Sequence, residues 1–279
     1  MIAETERLLE LLIPVIAEAS FSVDGLFCSV DLLKCIGNRE VELYEVKSST
    51  DVKSHFYDDV AFQKYVLTQA GYKVQSCYLV HVNNKYVRHG ELDIKQLFSI
   101  VNITDEVLNL YPDVERNIER IKEYMQQTEE PLDDIGMHCF EPYACGFWQY
   151  CTSHLPKPNV FDVARLRKAT QFKCYDSGVI SFEELNRSDM LAASYYKQIE
   201  HELFDYPPYI DAKSIKGFMD KLSYPIYFLD FESFQPAVPL YDNSRPYEQI
   251  VFQYSLHYIE EPSGELKHKE FLAYPGTDQ

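Results

Sequence analysis

The sequence predicts an α/β protein, on three observations. An amphipathic helix opens the chain, and three short β-like runs separated by turn signals follow it. A second helix then leads into a further strand. Near residue 223 a new β region begins, after a Pro- and Cys-rich loop and a helical stretch.

Each element has a local reason. Leu8, Leu9, Leu11 and Leu12 recur at helical spacing, so residues 4–13 read as a helix. The runs PVIAEASF (14–21), LFCSVDLLKCI (26–36) and VELYEVKSS (41–49) read as strands, with turns at Asp24-Gly25 and Gly37-Asn38. Residues 56–71 are a helix that stops at Gly71. KVQSCYLVHVN (73–83) is a strand closed by a turn at Asn83-Asn84. Residues 104–127 are a charged helix or helix pair. In 160–222, which is mainly helical, FKCYDSGVISFEELN (172–186) has the rhythm of a helix, a Gly turn and a second helix capped by Ser. SYPIYFLDFESF (223–234), YEQIVFQYSLHYIE (247–260) and GELKHKEFLAY (264–274) read as strands. So few strands are marginal as a domain, so this region reads as the start of one. The expected divisions are 1–130, 131–159, 160–222 and 223–279.

Bulk properties narrow the class. Lys and Arg number 26 and Asp and Glu 44, a formal charge of −18, which argues against a surface coated for nonspecific nucleic-acid binding. A local basic groove can still hide within that total. No apolar stretch reaches the roughly 18 residues needed to cross a bilayer. The N-terminus is acidic where a signal peptide is basic. The seven cysteines are therefore expected to be reduced or metal-bound, in a cytoplasmic chain without a membrane partner.

One constellation lies along the first strands. Val41, Leu43, Glu45 and Lys47 share a strand face, apolar at one end and charged at the other. A hairpin at Gly37-Asn38 brings Asp31 alongside. Asp31 and Glu45 then offer carboxylate oxygens to Mg²⁺ or Mn²⁺, which keeps waters and substrate phosphates as its other ligands. Lys47 would orient the attacking water or balance charge. Glu-x-Lys alone is a common triplet, more often structural than not. Asp31 upstream and a helix bearing Gln63 downstream change that balance. Glu18 is a further acidic candidate, with a surface strand end as its alternative. Tyr65 lies two residues after Gln63 on the same helix and is a further candidate.

HCFEPYACGFWQYC sets Cys139, Cys145 and Cys151 at equal intervals, wrapped in aromatic residues. Three thiolates in a loop suit an iron–sulfur cluster or zinc. Buried free cysteines are the plain alternative. His138 and His154 are local candidates that would favour zinc. Cys28 and Cys35 are poorly placed inside core strands. A third signal is YFLDFESF, where Asp230 and Glu232 share one face of a strand, as paired acids of a two-metal site do. Asp242, Asp278 and His257 are weak candidates for its missing ligands.

Taken in order, these three motifs resemble the bacterial family of domain of unknown function 2779. That resemblance implies a restriction-endonuclease-like mixed sheet flanked by helices, of the RecB-like PD-(D/E)xK type. A Cys-rich loop, a helical linker and the start of a ribonuclease-H-like α/β domain follow. It implies metal-dependent cleavage of nucleic acid. Asp31, Glu45, Lys47 and Gln63 match the nuclease motifs, and Cys139, Cys145 and Cys151 match three ligands of a [4Fe-4S] cluster. Asp230 and Glu232 match the first DEDD-exonuclease motif. Family members begin further upstream, with a Cys-Pro segment that supplies the fourth cluster ligand, and continue past residue 279. The chain is therefore expected to be clipped at both ends. The leading expectation is a Mg²⁺- or Mn²⁺-dependent, exonuclease-like enzyme acting on DNA. The rival is an inactive nucleic-acid-binding or scaffold protein with a zinc- or cluster-stabilised loop. A helix-hairpin-helix contact to phosphate at the Gly turn of 172–186 is a minor expectation beside a plain linker.

Overall fold

Alternation along short strands builds the first sheet. The computed structural model describes residues 1–274, in two compact units: 1–127 with the segment from 223 onward, and 128–222. In the first unit α1 (Ile2–Glu10) precedes the antiparallel β1 (Val15–Val23), β2 (Leu26–Gly37) and β3 (Glu40–Lys47). Helix α2 (His55–Gln69) crosses over to β4 (Lys73–Val82), which pairs parallel to β3. Then come α3 (Ile94–Leu97), β5 (Phe98–Asn102) antiparallel to β4, and α4 (Thr104–Tyr124). The result is a mixed five-stranded sheet in chain order.

Strand β3 buries Val41, Leu43 and Glu45 in turn, the pattern of a strand with one face on a core. Leu33, Leu43 and Leu79 are fully buried with Val60, Val66 and Leu67 of α2 and Val107 of α4. Each such side chain contributes about 1.5–3 kcal/mol by leaving water. The stop after α2 is a backbone requirement: Gly71 has φ +85°, and a Cβ there would lie 2.9 Å from Arg39 Nη1. The turns at Asp24-Gly25 and Gly37-Asn38 and the first four strands fall where the sequence puts them. Residues 104–124 form one helix, with Pro112 inside it. Strand β5 and helix α3 are additions. FSIVN is too short to show a period, and β4 supplies its pairing.

The segment from 223 forms an antiparallel sheet of β6 (Ile226–Phe234), β7 (Ile250–Ile259) and β8 (Lys267–Leu272). On β6, Tyr227, Phe228, Leu229 and Phe231 are each more than half exposed. The β6–β7 connection, residues 235–249, is bound to the first unit's sheet end. Arg88 Nη1 donates to the carbonyls of Pro239 and Leu240 at 3.0 Å. Asn243 N donates to Arg88 O at 2.7 Å, and Gly90 N donates to Asp242. Ala237 and Tyr247 pack on Val82, Tyr86 and Leu97. Nothing periodic in 235–249 announces this docking.

The second unit holds two small cores. Ile135, Leu155 and Phe172 form one, against the aromatic rings of the Cys-rich loop. Val160, Leu185 and Ile199 centre the other. Its helices are α5 (Trp148–Cys151), α6 (Lys168–Asp176), α7 (Phe182–Arg187), α8 (Ala193–Leu203) and α9 (Ala212–Met219). Ser181 caps α7 in a reciprocal box with Glu184, as its position predicts. Between α6 and α7 the amides of Ser177, Gly178 and Val179 donate to carbonyls of α6. Those of Ile180 and Ser181 donate to Glu184 Oε2 at 2.8 Å. These amides are engaged within the turn, so it is a structural corner and offers them to no phosphate. Among the described residues no helix is long and apolar enough to cross a membrane.

Candidate functional site

Glu45 is the centre of the best-formed polar cluster. It is a buried carboxylate, 7% exposed, at the end of the β3 core face. Burial of a charge requires partners on each oxygen. Its Oε1 lies 2.7 Å from Lys47 Nζ, and its Oε2 accepts from Gln63 Nε2 at 2.7 Å. Lys47 also bonds Asp59 Oδ2 at 2.8 Å and lies 5.2 Å from the centre of the Phe56 ring. Burial presses the Lys47 pKa down, but the bonds to Asp59 and Glu45 outweigh it, and the net shift is upward from 10.5. A raised lysine pKa contributes its stabilisation fully below 10.5 and loses it only as pH rises beyond. Lys47 is therefore a constant cation across neutral pH.

Asp31 reaches the same edge by an irregularity. The β1–β2 ladder pairs Ala17 with Leu32 and Ala19 with Val30, skipping Glu18 and Asp31. Glu18 sits there at φ +54°, and β2 changes face, so Leu33 and Val30 are both fully buried. The freed Asp31 Oδ2 accepts from the Val46 amide at 2.7 Å, one residue past Glu45. Glu18 turns elsewhere, accepting from Ser29 Oγ at 3.3 Å. Tyr65 packs on Tyr111 at 5.8 Å as part of the core.

Two residues of this edge escape sequence reasoning. Asp59 lies one helical turn before Gln63, so α2 presents both toward β3. That spacing was available as a signal. His81 stands opposite Lys47 in the parallel β3–β4 register, with Nδ1 3.2 Å from Val82 O. Only the pairing register reveals it.

Carboxylate oxygens are the ligands that a hard divalent cation prefers. Asp31 and Glu45 supply carboxylate oxygens with lone pairs to spare beyond their present single partners. Gln63 Oε1, buried beside Glu45, has no hydrogen-bond partner, an orphan acceptor of the kind a bound water satisfies. Among the described residues, no group of three or more His, Cys, Asp or Glu side chains is placed to hold a metal ion. An ion on this edge would thus rest on two carboxylates and water.

The cysteine loop is less complete. Cys145 N donates to Cys139 O at 2.7 Å, which folds the loop back on itself. Cys139 and Cys151 are half-buried against the aromatic core and Cys145 is exposed. The three thiols do not form a ligand set here, and all seven cysteines are free. Cys28 is buried in the core of the first unit, where burial pushes its pKa up to about 12. Lys168 Nζ sits 4.2 Å from the Phe140 ring and 5.3 Å from Trp148, and burial lowers its pKa.

Asp230 pairs with Ser255 and Glu232 with Gln253, so both acids share one face of the second sheet. Asp230 Oδ1 accepts from the Phe231 amide at 3.0 Å. His257 stacks on His268 across β7 and β8, with ring centres 4.3 Å apart. Asp242 is spent on the Gly90 amide, and Asp278 lies outside the described residues.

Residues 227–279 match the model of a family described as a domain of unknown function, DUF2779. The matched stretch carries Asp230 and Glu232. No curated protein and no solved structure matches the chain.

Proposed function

We propose that the chain is a metal-dependent nuclease acting on DNA through the edge formed by Asp31, Glu45, Lys47 and Gln63. The observation that carries this is the buried Glu45 held between Lys47 and Gln63, with Asp31 on the adjoining amide. Such a cluster sits where β3 ends beside the parallel β4, the kind of sheet end where open α/β folds bind ligands. In this reading the sheet is restriction-endonuclease-like, and the segment from 223 begins a ribonuclease-H-like domain with Asp230 and Glu232 as a partial second site. The protein works in the cytoplasm.

Asp31 and Glu45 would hold Mg²⁺ or Mn²⁺, which supplies Lewis-acid polarisation of the phosphodiester and a more acidic water. The Gln63 amide donates to Glu45 Oε2 and so fixes the carboxylate that would hold the metal. Lys47 keeps one positive charge beside the phosphate as negative charge builds in the in-line transition state. Because it stays charged throughout the neutral range, it serves as an electrostatic group and not as a base. Cleavage of single- or double-stranded DNA should require Mg²⁺ or Mn²⁺, stop with EDTA, and be abolished by Lys47→Ala. Unchanged cleavage in that variant would sink the proposal.

A second, additive reading rests on the even spacing of Cys139, Cys145 and Cys151, with a metal that would draw the three thiols together and tether the loop. Protein purified without oxygen should then contain stoichiometric zinc, or iron with visible absorption. Cys145→Ser should release it. Metal-free protein would leave the three thiols as packing residues.

A further inference from the structure

Lys47 has two acidic partners, and the proposed function uses only one of them. Its ammonium spans Glu45 Oε1 at 2.7 Å and Asp59 Oδ2 at 2.8 Å. Lys47 and Glu45 are mostly covered, with side chains 23% and 9% exposed, whereas Asp59 is 53% exposed. The ammonium therefore already occupies an oxygen that a divalent cation needs. A cation arriving on Asp31 and Glu45 repels it at short range. The buried Phe56 ring lies 5.2 Å from the ammonium on the helix side. Among the described residues, Asp59 is the one carboxylate outside the proposed ligand pair that it already touches. Helix α2 fixes that carboxylate, because Asp59 and Gln63 are four residues apart on one face.

We propose that Asp59 is a positioning residue: it takes over the Lys47 ammonium when Glu45 engages the metal, and so keeps Lys47 at the phosphate. This rests on the metal-dependent reading of the edge. Without Asp59 the ammonium falls back on Glu45 and competes with the cation. Lys47 then opposes metal binding, and Asp59 relieves that opposition.

The test is Mn²⁺ binding to the full chain by calorimetry, in the absence of nucleic acid. Asp59→Asn should weaken binding about fivefold, and Lys47→Ala should tighten it by a similar factor, the scale of one partly exposed ion pair. In the Lys47→Ala background, Asp59→Asn should change the affinity less than about twofold, because its effect runs through Lys47. Asp58→Asn removes the same charge one residue away and should leave binding unchanged, and Asp59→Glu should restore most of the loss. An equal loss from Asp59→Asn with and without Lys47 would overturn the proposal in favour of bulk charge. So would no loss at all. Glu45→Gln separates the two claims. If it binds Mn²⁺ as well as the natural protein does, the site itself is wrong. If it abolishes binding while positions 47 and 59 show no coupling, only the role of Asp59 falls.

Discussion

Glu45→Gln is expected to lower metal-dependent DNA cleavage by on the order of 10³-fold, with the fold intact. The substitution keeps the shape of the side chain and an oxygen that can accept from Gln63 or Lys47. It removes the negative charge that a divalent cation needs at the buried end of β3. The loss should therefore appear in metal affinity and in turnover together. Stability should fall by only about 1 kcal/mol, because Lys47 keeps Asp59 as a partner and is not stranded. Urea unfolding followed alongside cleavage separates the two effects. Cleavage within threefold of the natural protein would show that the edge is a structural ion pair.

Phe172→Ala should destabilise the unit of residues 128–222 by about 3–5 kcal/mol, a cost dominated by the cavity left behind. Phe172 is 4% exposed and meets Phe140, Trp148, Phe161 and Tyr175 within 6.5 Å between ring centres. Trp148 is the sole tryptophan of the chain and touches Phe172, so its emission reports the event directly. The expected result is a red-shifted Trp148 signal at lower urea. The first unit, which holds no tryptophan, can be followed by circular dichroism. If the Trp148 midpoint does not move, the aromatic cluster is not what holds the cysteine loop.

Much of the first sheet was legible in the sequence, and the reason is its simple patterning. Alternation in β3, glycine turns at 25 and 37, and the stop at Gly71 are local signals that tertiary structure had no cause to override. Glu45 and Lys47 were legible as a pair because strand alternation puts them on one face, and Gln63 joined them through the resemblance to the nuclease motifs. The failures have one cause, which is pairing that no local pattern encodes. Strand β5 exists because β4 offers it an edge. His81 joins the site through the parallel register. Asp31 reaches Val46 only because β2 breaks step opposite Glu18, where simple alternation would have kept Leu33 and Val30 on opposite faces.

The tie between residues 235–249 and the first sheet also orders events during synthesis. Tyr247 donates its hydroxyl to the Ser48 carbonyl, next to Lys47, across 199 positions of sequence. Contacts of that separation form late, since the loop between them must close first. On the ribosome, Val82, Tyr86 and Leu97 emerge long before the segment that covers them. The intervening residues 128–222 must be made, and can fold, in that interval. At about 5–20 residues per second the wait from residue 127 to residue 247 is roughly 6–24 s. Through that time the edge beside Lys47 lacks the Tyr247 bond, so the first sheet must hold that edge without it until the last part of the chain is made.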